Sequence, residues 1–448
     1  MARTGGEQID SMTASAIVDL ALRACELSLA CGSSSADATA TALTICEAYG
    51  LKADVDVTWT SIYISYHRFG AAEPITGFRT VRTRDTDYQQ LAQLGLLEAD
   101  IARNKLTVMQ ARARFDQIRD SASPYRWWVV AMASGVLGGS VAALLGGNAA
   151  EWLLSGIASL LLFCVQRLCQ RAGLAALFVQ AFAAAVPTMI ALAIMVVRNA
   201  TEHLYGISPS MIAASGMVWL LAGLGVATAA RDAMDGNFLT SVARTFDAVL
   251  QTIGIVFGVV ITLWIGVRAG VPGYITPIAG YAAPTPWQIL SAGVCAASFA
   301  IVCHVGPRSV LFCGLLGSVG YAVFQVLLPV VEQVPAAAGL GAFAVGALGQ
   351  AFAWRWRVPL VALVTTGIVA LLPGMALYRG LYALFADLDS PNPVEARILL
   401  TQVVLTGVAL AAGSMLGAQV VRPFSQPAEW LMRHTRDKVR RRQRPSVG

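Results

Sequence analysis

The sequence predicts a polytopic α-helical membrane protein in which ten transmembrane helices, arranged as two inverted five-helix repeats, follow a soluble α+β domain. Three observations predict this fold class. The 448 residues are 56% hydrophobic and 13% charged, about half the charged fraction of an ordinary soluble domain. Apolar segments long enough to cross a bilayer recur from residue 127 onward. Charged residues concentrate before that point and in a basic run at the C-terminus.

The soluble domain occupies the N-terminal part of the chain. Apolar side chains recur there at helical spacing in four segments, which lie near 12–31, 33–50, 88–104 and 107–120. Between the second and third helices, Val55 and Val57, and then Ile62 and Ile64, alternate with polar residues. This alternation predicts one long strand, with residues 77–84 as its partner. The opening MARTGGEQID lacks the apolar core of a signal peptide, so we expect this domain to be cytoplasmic.

Ten apolar segments, each near the ~20 residues that a spanning helix needs, follow the soluble domain. They lie at 127–146, 150–166, 174–197, 209–230, 246–267, 287–303, 309–330, 335–353, 358–378 and 397–421. Tryptophans fall at or near many of the segment ends, as they do in interfacial belts. The predicted parts are a cytoplasmic α+β domain, a first five-helix repeat, a second five-helix repeat and a basic cytoplasmic tail, at 1–125, 126–268, 287–422 and 423–448.

The basic residues predict the orientation of these spans. With the N-terminus inside, alternate connections carry most of the basic side chains, among them Arg167, Arg231 and Arg308, and the run RHTRDKVRRRQR also falls inside. The opposite connections carry fewer basic residues and more Gly, Pro and acidic residues. By the positive-inside rule both termini are cytoplasmic. The high pI near 9.0 therefore indicates membrane topology, and we expect no nucleic-acid partner.

The long polar connection at 268–286 divides the spans into five and five. Aligning the halves sets the fourth segment against the ninth, with Gly223 matching Gly374 and Ala222 matching Pro373. Because five is an odd number, the two halves enter the membrane from opposite sides, an arrangement common among secondary transporters. In such proteins the substrate site lies where helices interrupted by Gly or Pro meet. Here the sequence places that point between segments four and nine.

The chain resembles the threonine/serine exporter family. The N-terminal motifs are LSLACGSSSADATATALTICEAYGL, DVTWTSIYIS, ARARFDQI and GLGVATAARDAMDGNFLTSVART, and the C-terminal motifs are FAIVCHVGPRSVLFCGLLGSVGY and WRWRVPLVALVTTGIVALLPGMALYRGL. The resemblance implies a ten-span carrier in a bacterial inner membrane that exports threonine and serine, driven by the proton gradient. Split relatives imply a dicarboxylate exporter as the alternative. One departure is Ala222-Gly223, where the family usually has Pro-Gly.

Candidate substrate-binding residues are those that open the backbone of segments four and nine, together with polar side chains near them. Proline removes a helical hydrogen bond, and the freed backbone supplies donors and acceptors for a zwitterion. This set is Gly223, Thr228, Pro373, Gly374, Thr188 and Gln350. Close helix packing through small residues explains the glycines equally well.

Asp232 and Asp247 are the predicted proton-coupling acids. An acidic group at membrane depth costs about 2.5–3.5 kcal/mol, so one that is retained usually faces a cavity or a partner. Residues predicted to gate the pathway or attract anions are Arg231, Asp235, Tyr378 and Arg379. The alternative for the cluster around Asp232 is a solvated helix end, and for Arg379 an anchor at the head groups.

Two other classes of function stay open on the sequence alone. A membrane-anchored hydrolase would draw on Ser61, Ser65, His67, Asp54 and Asp56, yet no nucleophile elbow or zinc-protease motif is present. A channel or scaffold without coupling is the other. We therefore expect a transporter and no enzyme, with no cofactor or metal, and with amino-acid substrate, protons and lipid as partners. A homo-oligomer is compatible with the sequence.

Overall fold

The computed structural model describes residues 10–67, 73–81, 86–200, 206–217, 220, 223–271, 286–385 and 393–425. The chain divides into two compact units. The N-terminal unit comprises Met1–Arg126, Thr228–Asp247 and Cys303–Pro307, and the membrane unit comprises Trp127–Ala227, Ala248–Val302 and Arg308–Gly448. The N-terminal unit is thus not confined to the predicted soluble segment, because it also includes the region around Asp232.

The N-terminal unit contains four helices and a three-stranded antiparallel sheet of order β1-β2-β3, which share one apolar core. Its elements are α1 (Ser11–Ala30), α2 (Ser35–Ala48), β1 (Ala53–Val57), β2 (Ser61–Tyr66), β3 (Ile75–Thr80), α3 (Tyr88–Ala102) and α4 (Val108–Arg119). The apolar face of α1 forms the centre of the core, with Ile17, Leu20 and Ala24 almost fully buried. Gly77 of β3 lies against this helix, where a Cβ would overlap Leu22.

The prediction of one long strand from Val55 to Ile64 was wrong. The segment folds into two strands, β1 and β2, joined by a turn in which Ser61 N donates to Thr58 Oγ1 at 3.1 Å and Val57 pairs with Ile62. The buried side chains change from odd positions in β1 to even positions in β2. A continuous strand keeps one parity on each face, so this change of phase marks the turn.

In the membrane unit, the described part of the chain contains seven helices long and apolar enough to cross a bilayer. These are α5 (Trp127–Leu144), α6 (Ala149–Arg171), α7 (Ala176–Ala200), α10 (Phe238–Arg268), α12 (Pro307–Val331), α13 (Val334–Trp356) and α16 (Pro393–Ser425). A shorter apolar helix is α11 (Pro286–Val302). The helices confirm a multi-pass α-helical membrane protein, and the count of ten spans stays a prediction.

The predicted fourth and ninth spans are each divided into shorter helices. The fourth comprises α8 (Pro209–Gly216) and α9 (Gly223–Met234), and the ninth comprises α14 (Leu360–Gly367), the short 3-10 helix Val369–Leu371 and α15 (Gly374–Phe385). Leu372 is extended, with ψ 137°, as expected for a residue that precedes proline. Pro373 therefore separates the two halves of the ninth span. Ala222 lies outside the described residues.

Close helix contacts through glycine recur in corresponding pairs of spans. The first and second spans of each half meet at glycines: a Cβ on Gly135 would lie 3.1 Å from Gly156 O, and one on Gly293 would lie 3.1 Å from Gly314 O. The third and fifth spans of each half also come into close contact at a glycine. A Cβ at Gly258 of α10 would overlap the backbone of α7, and one at Gly413 of α16 would overlap the backbone of α13. Small residues at these contacts allow the backbones to approach closely.

Candidate functional site

A cavity of about 70 Å³ in the membrane unit lies beside the interruption at Leu372 and Pro373. This volume holds several water molecules and suits a small solute. The described lining residues are Val141, Leu144, Leu145, Ala214, Cys295, Phe299, Tyr321, Phe324, Val334, Val369, Ala370, Leu371, Leu372, Pro373, Gly374, Met375 and Thr406. They come from helices of both sequence halves, including α5 and α8 from the first and α11, α12 and α16 from the second.

The walls of this cavity are mainly apolar and carry no charged side chain among the described lining residues. The polar side chains in the lining are Tyr321, Thr406 and Cys295, which are all buried. Backbone polar groups supplement them, because the chain leaves helical geometry at Leu372 and begins α15 at Gly374. The cavity can therefore hold a small solute of no net charge that makes hydrogen bonds to backbone and hydroxyl groups.

Of the six predicted substrate-binding residues, Pro373 and Gly374 line the cavity. Gly223 begins α9, and Thr228 belongs to the N-terminal unit. Thr188 and Gln350 are buried in the membrane unit, and Thr188 donates its hydroxyl hydrogen to Ala184 O at 3.0 Å. The last four residues are absent from the described lining of the cavity. Their predicted role in binding is untested.

Asp232 lies in the N-terminal unit, where it forms a buried ion pair. Its carboxylate Oδ2 is 2.8 Å from Arg244 Nε, and the two side chains are 0% and 10% exposed. The Nε–H bond is not aligned for a hydrogen bond to that oxygen, so the contact is electrostatic. The backbone N–H of Ser35 donates to Asp232 Oδ1 at 3.4 Å. The predicted acid thus has a cationic partner and is absent from the cavity lining.

Residues from the start of the chain enclose this ion pair. Arg244 Nη2 donates to Ser33 O at 3.1 Å, and its guanidinium lies 4.7 Å from the ring centre of Trp59. The Ser35 hydroxyl donates to Thr240 Oγ1 at 3.1 Å. The serine-rich segment before α2 and the turn between β1 and β2 therefore bind the helix ends on either side of Gly236.

Burial raises the pKa of the Asp232 carboxyl, and the positive charge of Arg244 opposes that rise. Burial also raises the pKa of Asp235, against the charge of Arg231. Arg231 itself pairs with Asp37 at 3.6 Å. A carboxyl whose charged form is penalised by burial takes up a proton more readily than a solvated one. Burial thus favours the protonated form of both carboxyls, and the neighbouring arginines favour the charged form.

The other predicted gating and coupling residues lie in two places. Asp247 is partly buried in the N-terminal unit. Arg379 pairs with Glu395 at 3.3 Å in the membrane unit, so its charge is engaged within the protein. The side chain of Tyr378 lies outside the described residues.

The hydrolase interpretation gains no catalytic arrangement from the structure. Ser65 is opposite Asp54 in the β1–β2 register, and His67 follows β2 as an exposed residue. Among the described residues no hydrogen bond joins these three side chains. The residues that the structure describes also include no group of three or more His, Cys, Asp or Glu side chains that could hold a metal ion.

One buried acid was missed by the sequence interpretation. Glu151 is 5% exposed and accepts from Asn148 N at 2.8 Å and from Ser208 N at 2.7 Å. It therefore caps the starts of α6 and α8 together. The Asn148-x-x-Glu151 capping box was visible in the sequence, but its link to Ser208 was not. Thr406 and Tyr321 were also missed, since neither belongs to a motif.

Comparison with known proteins gives consistent matches over most of the chain. A family model described as "Putative threonine/serine exporter" matches residues 19–266, and one described as "Threonine/Serine exporter, ThrE" matches residues 288–420. A "Probable threonine/serine exporter" of Mycobacterium tuberculosis is 32% identical over 431 residues, covering 94% of this chain and 79% of the relative. A "Threonine/serine exporter" of Corynebacterium glutamicum is 30% identical over 426 residues, covering 93% and 85%. No solved structure matches the chain.

Proposed function

Because this chain belongs to the threonine/serine exporter family, we propose that it exports small neutral amino acids, threonine and serine, driven by the proton gradient. The export is out of the cytoplasm across a bacterial inner membrane, with both termini on the cytoplasmic side. The observation that carries the proposal is the cavity at the interrupted ninth span. Its described lining is uncharged and includes Pro373, Gly374 and a buried hydroxyl.

The uncharged lining favours a zwitterion over a dicarboxylate. Burying a carboxylate without a cation or several hydrogen-bond donors is strongly unfavourable, and a dicarboxylate brings two. A zwitterion brings one carboxylate and one ammonium group, whose charges cancel. Gly374 N donates to Leu372 O at 2.8 Å, so the donors available to the carboxylate are the N–H groups that follow it in the first turn of α15, and carbonyl groups before Leu372 can accept from the ammonium group. Interrupted helices bind substrates in this way in many secondary transporters.

The recurring glycine contacts support two structurally related halves. The pair Gly135 and Gly156 in the first half corresponds to Gly293 and Gly314 in the second. In each half the broken span also packs against the first and third spans, as α8 does against α5 and α7, and α14 against α11 and α13. Two inverted halves would open the cavity alternately to either side of the membrane.

Asp232 is the coupling acid in this proposal. In its charged form it holds Arg244, which also binds Ser33 O and the face of Trp59. Protonation of Asp232 removes the charge that Arg244 pairs with and frees the helix ends around Gly236 to move. Proton binding and helix movement are thereby linked through one ion pair.

Flux measurements in proteoliposomes test the exporter and its coupling together. When a pH gradient is applied, labelled threonine should accumulate in the proteoliposomes against its concentration gradient. Asp232→Asn should abolish that accumulation. The variant should still exchange internal for external threonine at equal pH, which shows that it is folded. The matched control is Asp120→Asn, which removes a carboxylate that is 69% exposed, and it should behave like the unmodified protein. Gradient-driven accumulation by Asp232→Asn would refute the coupling role, and threonine flux without any response to pH would indicate a channel.

A further inference from the structure

Thr406 of α16 is a buried hydroxyl in the wall of the cavity. Its side chain is 0% exposed, and its hydroxyl hydrogen is donated to Gln402 O at 2.7 Å within the same helix. The hydrogen is therefore occupied, while the oxygen keeps a lone pair that can accept. In the part of the chain that the structure describes, no donor reaches this oxygen. A buried acceptor in a small cavity fits a ligand that brings an O–H or N–H donor.

The other polar side chains of the lining are a thiol and a phenol. Cys295 offers a thiol, which is only a weak hydrogen-bond acceptor, and Tyr321 has its ring centre 5.6 Å from that of Phe324. The surrounding side chains, such as Phe299 and Phe324, are apolar. Thr406 is the aliphatic hydroxyl of the lining, and its oxygen can accept a hydrogen bond from a bound solute.

The location of Thr406 suits recognition of a side chain. α16 packs against α15, the helix that begins at Gly374 next to the interruption. Backbone groups at the interruption are suited to the charged ends of an amino acid, which every amino acid shares. A side-chain hydroxyl on the adjacent helix can instead distinguish amino acids that carry a β-hydroxyl from those that do not.

We propose that Thr406 is a specificity-determining residue that accepts a hydrogen bond from the side-chain hydroxyl of the transported amino acid. The assignment rests on the proposed function. Threonine and valine have nearly the same shape, so steric fit cannot separate them, but valine leaves the Thr406 oxygen unpaired. One such hydrogen bond corresponds to about a five- to tenfold preference. Sites built to bind a hydroxyl reject its apolar analogue more strongly than apolar pockets do.

The test measures how well unlabelled threonine and valine compete with labelled threonine for exchange in proteoliposomes. The unmodified protein should prefer threonine by about five- to tenfold. Thr406→Val should reduce that preference to less than about twofold, mainly by weakening threonine competition, whereas Thr406→Ser should retain it. The matched control is Thr262→Val. Thr262 is also buried, donates to Gly258 O at 2.7 Å and is absent from the described cavity lining, so its preference should be unchanged.

Three outcomes overturn the assignment. An unchanged preference in Thr406→Val would show that another group reads the hydroxyl. An equal loss of threonine and valine competition would show that Thr406 binds a group common to all amino acids or only supports the fold. Threonine exchange that is absent from the unmodified protein would overturn the proposed function itself, and this assignment with it.

Discussion

Removing Arg244 should destabilise the N-terminal unit far more than removing any exposed arginine. Arg244→Gln leaves Asp232 with its carboxylate fully buried and without its paired cation. Breaking a buried pair in this way costs about 3–5 kcal/mol. The variant also loses the donor to Ser33 O and the cation over Trp59. Asp232→Asn should cost less than Arg244→Gln, because Arg244 then keeps these two partners.

The assay is thermal unfolding of the full chain in detergent micelles. Unfolding of the N-terminal unit is monitored by the thiol labelling of Cys25 and Cys46, which are buried in the folded unit. A loss of about 4 kcal/mol corresponds to a fall in melting temperature on the order of 10 °C. The loss should become smaller as the pH falls, because a proton can then neutralise the unpaired Asp232 carboxylate, whose pKa burial raises.

The matched control and a double variant decide the result. Arg119→Gln removes an arginine that is 50% exposed and pairs with Asp120, so the change should stay below about 1 kcal/mol. Combining Asp232→Asn with Arg244→Gln should cost less than the sum of the single changes. A melting temperature for Arg244→Gln equal to that of the control, or strict additivity in the double variant, would refute the buried-pair interpretation.

Two further predictions concern the folded state. Burial raises the pKa of Glu98 from its ordinary value of 4.5 to about 7. Between these two pH values the folded chain therefore keeps a proton on Glu98 that the unfolded chain has lost. The stabilisation that this proton provides is complete below pH 4.5 and is lost as the pH rises through 7. The free energy of unfolding of Glu98→Gln should therefore exceed that of the unmodified protein by up to about 3 kcal/mol at pH 8 and by little at pH 4. Equal melting temperatures of the two proteins across this range would contradict the prediction. Gly413→Ala would place a Cβ against the carbonyl oxygen of Gly339, so it should lower both the melting temperature and the rate of threonine exchange. The control Gly95→Ala adds a methyl group in open space on a helix and should raise the free energy of unfolding by up to about 1 kcal/mol. Similar effects of the two substitutions would contradict the tight contact at Gly413.

The membrane class and the family could be predicted because they depend on local and ordered features. Hydropathy alone marks most of the spans, and the motifs that carry the family resemblance lie in one linear order. The interruption of the ninth span was also predictable, since Pro373 removes a hydrogen bond wherever it stands in a helix. For the fourth span the sequence argument was weaker, because Ala222 stands where a proline was expected; α8 ends at Gly216, and Ala222 lies outside the described residues.

The partners of the predicted site residues could not be obtained from the sequence. Asp232 receives a hydrogen bond from Ser35, which lies 197 positions away in the chain. The cavity combines α5, α8, α11, α12 and α16 around the residues from Val369 to Met375, and no spacing rule relates such distant segments. Thr406 looks like any threonine in an apolar helix. It gains significance only from its neighbours in the fold.

The prediction of one long strand in place of β1 and β2 failed for a local reason. Val57 and Ile62 are both buried, yet they lie five positions apart, and an odd separation cannot keep two residues on one face of a flat strand. Thr58 to Thr60 contain no Gly or Pro, so the usual turn composition was missing. The side chain of Thr58 supplies the turn instead, by accepting a hydrogen bond from Ser61 N.

The central claim is that the cavity beside Pro373 carries a small neutral amino acid. Exchange of labelled external threonine against a single unlabelled solute inside proteoliposomes tests it most directly. Vesicles loaded with threonine or serine should take up label rapidly, and vesicles loaded with succinate should take up no more than empty ones. Label entry driven by internal succinate and not by internal threonine would contradict the claim.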